Sequence, residues 1–189
     1  MSATPFAFRN TPDAWGPVAK LFHWLSALLI LGLVGDGWWM THLVARAGRL
    51  QQYQLHATIG YYLLLLLALR LLWRVGNPVP ALPQELPRWE RVTARTVHWL
   101  LYIFTFGVAL SGWLLVGTLS RPLNATLFGF IDVPSLLDAS HRSMHGMLEE
   151  THRVLSYALL ALAGFHLFSA LRHHFWHENN VLRRMWWGN

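Results

Sequence analysis

The segment 151–175 reads THRVLSYALLALAGFHLFSALRHHF, an apolar run with His152 near its start and His166 well inside it. A helix of about 20 apolar residues crosses a bilayer core, and this run is long enough to do so. The two histidines are fourteen residues apart, which is nearly four helical turns, so they lie on almost the same helix face about 21 Å apart. Ionisable side chains inside membrane helices are costly and usually functional, so both histidines are candidate site residues.

The rest of the chain also has the composition of a membrane protein. Of its 189 residues, 54% are hydrophobic and 13% are charged, whereas about 25% are charged in soluble domains. Three further apolar runs are long enough to span a bilayer, so we predict an all-α fold, a transmembrane four-helix bundle that forms one domain over residues 1–189. The predicted spans cover residues 19–41, 54–74, 96–117 and 149–172.

The connections between the spans differ in character. Residues 75–94 are rich in proline and polar side chains, which predicts a loop. Residues 118–148 form the longest connection, and its apolar stretch 123–137 is too short and broken to span, so we predict that it lies at the membrane interface. No alternation typical of strands is visible. The tripeptide ARA at 45–47 resembles a signal-peptide cleavage site, but the long apolar run and the bulky residues before it favour a retained span.

The charged residues predict the orientation. The formal net charge is +6, from 15 basic and 9 acidic residues. Ten basic residues fall on the side that holds both termini and the 75–94 loop, and five fall on the other side. This excess predicts that both termini are cytoplasmic. No basic stripe on a soluble face suggests nucleic-acid binding. The absence of cysteine excludes disulfides, iron–sulfur clusters and thiolate ligands.

In this orientation the histidines fall at two depths. His23 and His166 share the cytoplasmic leaflet, and His56 and His152 share the outer leaflet. Each pair joins the fourth span to one other helix. A lone histidine at a helix end usually snorkels to the interface, but two depth-matched pairs that share one helix face favour a pair of ligand sites.

Imidazole pairs can bind iron, copper, nickel or zinc. Zinc usually takes four ligands, and neither a thiolate nor an acid lies near His166 in its span. Haem needs only axial ligands from the protein, and a large apolar macrocycle fits between the helices of a bundle. Two axial histidines leave no open position at the iron, which suits electron transfer. The sequence therefore predicts two haems at different depths, with these four histidines as the iron ligands.

Other histidines leave alternatives open. His145 and His173 continue the same stripe on the fourth helix, but their depth disfavours both. His98 shares the cytoplasmic leaflet with the inner pair, and it could be a ligand, bond a haem propionate or snorkel. His42, His141 and His145 could form an external metal site. Asp36 near the outer end of the first span could relay protons or be a hydrogen-bonded interfacial carboxylate.

Four stretches of the chain resemble one known family. They are KLFHWLSALL (20–29), LHATIGYYLLLLLALRLLWR (55–74), HWLLYIFTFGVALSGWLL (98–115) and THRVLSYALLALAGFHLFSALRHHFWHENNVLRRM (151–185). In order and spacing they resemble the bacterial cytochrome b561 family, small diheme proteins of the inner membrane. At the matching positions the family's axial ligands fall on His23, His56, His152 and His166. The resemblance implies two b-type haems, a four-helix bundle and exchange of electrons with quinone.

The resemblance leaves two functions open. At least one member of the family oxidises superoxide at the outer face and passes the electron to ubiquinone, so the resemblance implies that this chain passes electrons from a small donor to membrane quinone. A basic funnel would then collect the anion. The candidates on the outer side are Arg46, Arg49, Arg142 and Arg153, unless these serve ordinary loop solvation and pairing with haem propionates. Alternatively, the chain is the haem b anchor and electron-transfer subunit of a larger dehydrogenase or hydrogenase, with a redox partner protein as donor. A haemless transporter is a third hypothesis.

Overall fold

Four long helices dominate the computed structural model, which describes residues 8–45, 48–82, 86–120, 123, 125–176 and 181–186. They are α1 (Pro17–His42), α2 (Arg49–Val75), α3 (Arg88–Gly117) and α4 (His145–Phe175). Each is long and apolar enough to cross a membrane, which confirms the predicted all-α, four-span fold. The chain is therefore a multi-pass membrane protein.

The helices turn large apolar side chains outward, as expected for surfaces that face lipid. Leu28, Leu72 and Ile103 are each more than half exposed. In contrast, the small polar residues Ser26 and Thr105 are buried, and their hydroxyls donate to main-chain carbonyls one turn earlier in the same helix. Lipid offers no hydrogen-bond partners. The buried polar side chains therefore mark the inside of the bundle, and the exposed apolar side chains mark the surface that faces lipid.

The two ends of the bundle carry different connections, and we name them accordingly. The terminal face holds the two described ends of the chain and the start of the α2–α3 loop. There Trp24 Nε1 donates to the Met185 carbonyl at 2.9 Å and Asn10 Nδ2 donates to the Pro78 carbonyl at 2.9 Å. The opposite end, which holds the α1–α2 and α3–α4 connections, is the hairpin face. Which face lies in the cytoplasm stays a prediction.

The predicted 75–94 loop is shorter in the structure. Helix α3 begins at Arg88, directly after Pro87, so the prediction was wrong for residues 88–94. The first turns of α3 are polar, and an apolar window does not detect helix that extends beyond the predicted span. Proline is disfavoured inside a helix but common at its start, which fixes the boundary.

The connection between α3 and α4 contains a small β-hairpin that the sequence pattern did not predict. Strands β1 (Thr126–Leu127) and β2 (Ile131–Asp132) pair antiparallel. Two-residue strands are too short to show an alternating pattern. The turn places Phe128 and Gly129 at positive φ, 55° and 77°, and the Phe128 N–H donates to the Tyr62 hydroxyl at 2.7 Å. The interfacial location of this stretch stays a prediction, with Phe128 and Phe130 exposed.

The helices associate as two antiparallel hairpins. Helix α1 packs mainly on α2, and α3 packs mainly on α4. The contact between α2 and α3 joins the two hairpins, and α1 and α4 touch each other only lightly. The seam between the hairpins is where the histidine pairs lie.

Candidate haem-binding site

The structure brings His56 of α2 and His152 of α4 together near the hairpin face. Their ring centroids are 6.2 Å apart and their planes are 82° apart. His56 Nδ1 lies 3.0 Å from Asp36 Oδ2, and His152 Nδ1 lies 2.9 Å from the Val108 carbonyl oxygen. Both partners are acceptors, so each imidazole donates its Nδ1 proton and keeps a lone pair on Nε2. This is how histidine ligands are usually oriented in metal sites.

The second pair lies nearer the terminal face and has a different surrounding. The ring centroids of His23 on α1 and His166 on α4 are 6.2 Å apart, with planes at 69°. Arg70 Nη2 lies 3.1 Å from His23 Nδ1. A guanidinium has no acceptor atom, so Arg70 donates here and the His23 proton sits on Nε2. If His23 bound iron through Nε2, its ring proton would move to Nδ1 and the hydrogen bond from Arg70 would be lost. The Arg70 guanidinium would then remain as a positive charge beside the His23 ring.

The spacing within both pairs fits axial ligation of a haem iron. Two metal–imidazole bonds of about 2 Å each, plus roughly 1 Å from each nitrogen to its ring centre, place the centroids about 6 Å apart. Within the described part of the chain, no group of three or more His, Asp or Glu could hold a metal ion by itself. A pair supplies two ligands, the number that a porphyrin iron lacks. The donor set therefore fits haem.

His98 packs against the pair at the terminal face. Its ring centroid lies 5.1 Å from that of His166, with the planes at 66°. This separation is shorter than the roughly 6 Å expected for two ligands of one iron. The spacing therefore favours His23 over His98 as the partner of His166.

The remaining described histidines have other partners. His145 Nδ1 lies 2.8 Å from Thr118 Oγ1, and His173 Nε2 lies 3.5 Å from Glu90 Oε2. Both positions therefore stay disfavoured as ligands only on the depth argument from the sequence.

The external metal site suggested for His42, His141 and His145 is absent from the described residues. His141 Nδ1 instead lies 3.0 Å from Asp138 Oδ1. Hydrogen bonds from the Ser140 hydroxyl and then from His141 hold the pKa of Asp138 below its usual range.

The candidate funnel arginines are only partly available to an external anion. Arg49 donates from Nε to the Val44 carbonyl at 3.0 Å. Arg153 binds Glu150 through two contacts of 2.6 and 2.9 Å, so its charge is matched locally. Arg142 is exposed on the 3-10 helix Ala139–Met144. Arg46 lies outside the described residues.

Two glycines beside the hairpin-face pair were missed by sequence reasoning. A Cβ on Gly37 would lie 3.5 Å from His56 Cε1, and a Cβ on Gly112 would lie 3.0 Å from His152 Cε1. Each follows a polar residue that contacts the same ring, Asp36 for His56 and Ser111 for His152, whose Oγ lies 3.2 Å from Nδ1. The repeated order of polar residue, glycine and tryptophan near the ends of α1 and α3 is a signal that could have identified them.

Replacement of Gly112 by alanine is expected to weaken cofactor binding at the hairpin face. The added methyl would force His152 to move by a few tenths of an ångström, because the ring atoms lie 3.0 and 3.2 Å away. Ligand sets tolerate such displacement poorly. Haem content per chain and its loss on heating are the measurements.

Gly107→Ala is the matched control, because its nearest atom, Leu155 Cδ1, is at an ordinary 3.5 Å. Equal haem retention in the two variants would contradict the prediction.

Membrane helices that bring histidines together in pairs characterise cytochromes of the b type. The chain belongs to the prokaryotic cytochrome b561 family, whose sequence model matches residues 14–188. It is also 35% identical over 181 residues to "Cytochrome b561 homolog 2" of Escherichia coli strain K12, covering 95% of this chain and 94% of that protein. Membership confirms the resemblance noted in the sequence.

The family defines the chemistry in outline. Its members bind b-type haem, transfer electrons across membranes and work with quinone and redox partners. This chain is therefore a haem-binding membrane protein of electron transport.

Proposed function

We propose that the chain carries electrons across the bacterial inner membrane through two b-type haems, from a donor at the outer face to membrane quinone. In this proposal His56 and His152 hold one haem near the hairpin face, and His23 and His166 hold the other near the terminal face. The termini are cytoplasmic, as the basic residues predict. The observation that carries the proposal is the 6.2 Å spacing of both pairs at separate levels of α4.

Bound haem supplies a one-electron iron couple, and the protein residues determine how it is used. The two imidazoles of each pair would hold the haem iron from both sides, and a haem held in this way would favour electron transfer over oxygen binding. The shared helix α4 sets the distance between the sites, because His152 and His166 are about 21 Å apart along its axis. Lipid-exposed apolar side chains outside and buried side chains such as Leu67 and Leu159 inside keep water from the bundle.

The donor is a small oxidisable species at the hairpin face, with superoxide as the first candidate. Superoxide is an anion, and exposed cations raise its rate of arrival. Arg142 is exposed there, and Arg46 and Arg49 lie on the same connection side in the sequence.

One observation favours the second candidate, an electron-transfer subunit that receives electrons from a partner protein. Arg153 is paired with Glu150, and Arg49 donates to main-chain carbonyls. These contacts reduce the charge available to collect a free anion. A protein donor does not depend on such a funnel.

Purified protein is expected to be coloured and to contain two haems per chain. A reduced-minus-oxidised absorption spectrum and a pyridine haemochrome assay measure this directly. A colourless preparation expressed with adequate haem supply would contradict the proposal and favour the haemless transporter. One haem per chain would show that one pair does not ligate.

The two candidate donors are separated by activity of the purified chain alone. Superoxide-dependent reduction of a quinone analogue would support the small-donor function. Inactivity, together with co-purification of a soluble redox protein, would support the subunit function. Arg142→Ala should slow the superoxide reaction at low salt in the first case only, since electrostatic steering falls with ionic strength.

A further inference from the structure

The two histidine pairs have opposite charges behind their rings. At the hairpin face, Asp36 Oδ2 accepts a hydrogen bond from the Nδ1–H of His56, with 3.0 Å between the two heavy atoms. At the terminal face, the Arg70 guanidinium faces Nδ1 of His23 at 3.1 Å. Both contacts join helix α2 to α1, so α2 contributes the ligand in one pair and the charged neighbour in the other.

Asp36 is held in place from a second direction. Its Oδ1 accepts a hydrogen bond from the Gln52 side-chain amide, while Oδ2 faces His56. The carboxylate is about one-fifth exposed and so is the His56 side chain. Because both oxygens have donors, Asp36 presents a fixed negative charge to the His56 ring rather than a mobile one.

Arg70 is a cation without a matching acid. No ion pair among the described residues involves it. Its guanidinium lies 5.3 Å from the centroid of the Tyr102 ring, which holds the group in place through a cation–π contact. An unmatched positive charge therefore stays beside His23 within a membrane helix.

Charges next to an axial ligand change how readily the iron accepts an electron. A carboxylate that accepts a hydrogen bond from Nδ1–H makes the imidazole a stronger electron donor to the iron, which stabilises the oxidised, more positive state. A nearby cation destabilises that same oxidised state. Hydrogen bonding and local charge are established determinants of haem potentials, and both act strongly where water is scarce.

We infer that Asp36 and Arg70 are positioning residues that give the two sites different reduction potentials, lower at the hairpin face and higher at the terminal face. The inference rests on the proposed function, since it needs a haem at each pair. It sets the direction of electron flow: an electron that arrives at the hairpin face moves downhill towards the terminal face. The same two residues would oppose flow in the reverse direction.

Potentiometric titration of the haem absorbance at fixed pH tests the Asp36 part. Asp36→Asn keeps an acceptor for His56 but removes the charge. The low-potential step is the one assigned to the haem at the hairpin face. We expect its reduction potential to rise by ~59 mV, which is a tenfold change in the equilibrium constant of a one-electron reduction. An unchanged low-potential step, or a rise in the high-potential step, would overturn the assignment.

Gln52→Leu provides a second variant with the opposite sign. It removes the amide that competes for the Asp36 charge, so the carboxylate interacts more strongly with His56 and the low-potential step should fall. A general disturbance of the site would not shift the reduction potential in opposite directions in Asp36→Asn and Gln52→Leu. Asp138→Asn is the matched control, because it removes a carboxylate of the same face that contacts Ser140 and His141 rather than a ligand pair, and it should leave both steps unchanged.

Arg70→Gln tests the part of the inference that concerns Arg70. We expect the high-potential step to fall, so that it approaches the low-potential step, while Arg70→Lys retains most of the wild-type value. Arg74→Gln is the control, since Arg74 lies one turn further along α2 over the Trp99 and Tyr102 rings, and it should cause a smaller shift. An unchanged high-potential step in Arg70→Gln would mean that the loaded protein neutralises this cation, and it would overturn the Arg70 part.

Haem counts distinguish failure of this inference from failure of the proposed function. A wild-type chain without two haems contradicts the proposed function. Two haems with equal potentials, or with potentials unaffected by Asp36→Asn and Arg70→Gln, contradict the inference alone. If Asp36→Asn loses haem, Gln52→Leu replaces it and the low-potential step should fall. If Arg70→Gln loses haem, Arg70→Lys replaces it and the high-potential step should fall slightly.

Discussion

Replacement of His166 by alanine is expected to remove one of the two haems and leave the other in place. His166 is the centre of the cluster at the terminal face, where it contacts both His23 and His98. Without it, His23 loses the imidazole that lies at ligand spacing, 6.2 Å between ring centroids. The hairpin-face pair belongs to another level of α4 and keeps its own contacts to Asp36 and Val108. Haem content should therefore fall by about half, as measured by pyridine haemochrome assay against protein concentration.

His98→Ala is the matched control for this experiment, because it removes an imidazole from the same cluster. It should retain both haems if His98 is a neighbour rather than a ligand. Loss of one haem in His98→Ala with retention of both in His23→Ala would exchange their roles. Retention of both haems in His166→Ala would reject the terminal-face assignment.

Replacement of Gly117 by alanine is expected to destabilise the protein strongly. The last residue of α3 passes directly against the main chain of Leu137, and an added Cβ would lie 2.7 Å from the Leu137 carbonyl carbon and closer still to its oxygen. A main chain cannot rotate aside as a flexible side chain can. Overpacking of this kind costs about 1–3 kcal/mol or more, so the temperature of haem release and unfolding in detergent should fall by several degrees.

Gly60→Ala provides the comparison for Gly117→Ala. Gly60 is also helical, but a Cβ there meets no atom within 4 Å. Alanine is favoured over glycine inside helices by about 1 kcal/mol, so this variant should be neutral or slightly more stable. Equal melting temperatures for Gly60→Ala and Gly117→Ala would show that the α3–α4 connection is free to move away from α3.

The membrane helices could be predicted from the sequence because lipid imposes a simple rule on composition and length. Their boundaries could not, since the polar turn at Arg88–Glu90 lies beyond any apolar window yet continues α3. The β-hairpin at 126–132 was also missed, because two-residue strands carry too little pattern. Its turn depends on a positive φ at Phe128 and Gly129, and only the glycine is a conventional signal for that conformation.

The histidine pairs could be predicted because the depth of a residue in a span and its phase around the helix both follow from its position in the sequence. Their surroundings depend on how different helices pack, which no single segment encodes. Asp36 was noted as a polar residue in the first span, but its partner His56 belongs to α2. Likewise, His152 contacts the Val108 carbonyl and lies against Gly112 only because α3 packs closely on α4.

The arrangement of the bundle as two hairpins has a consequence for biogenesis. Both histidine pairs cross the seam, since His23 and His56 belong to the first hairpin and His152 and His166 to the second. Across this seam each pair of helices touches less than the two helices of either hairpin do, so a newly inserted chain has its weakest tertiary association there. A group that binds only the assembled state stabilises it in proportion to its affinity and supply. Haem binding would then hold the two hairpins together and complete maturation. Chains made during haem starvation would keep a weakly associated pair of hairpins and be more accessible to membrane proteases.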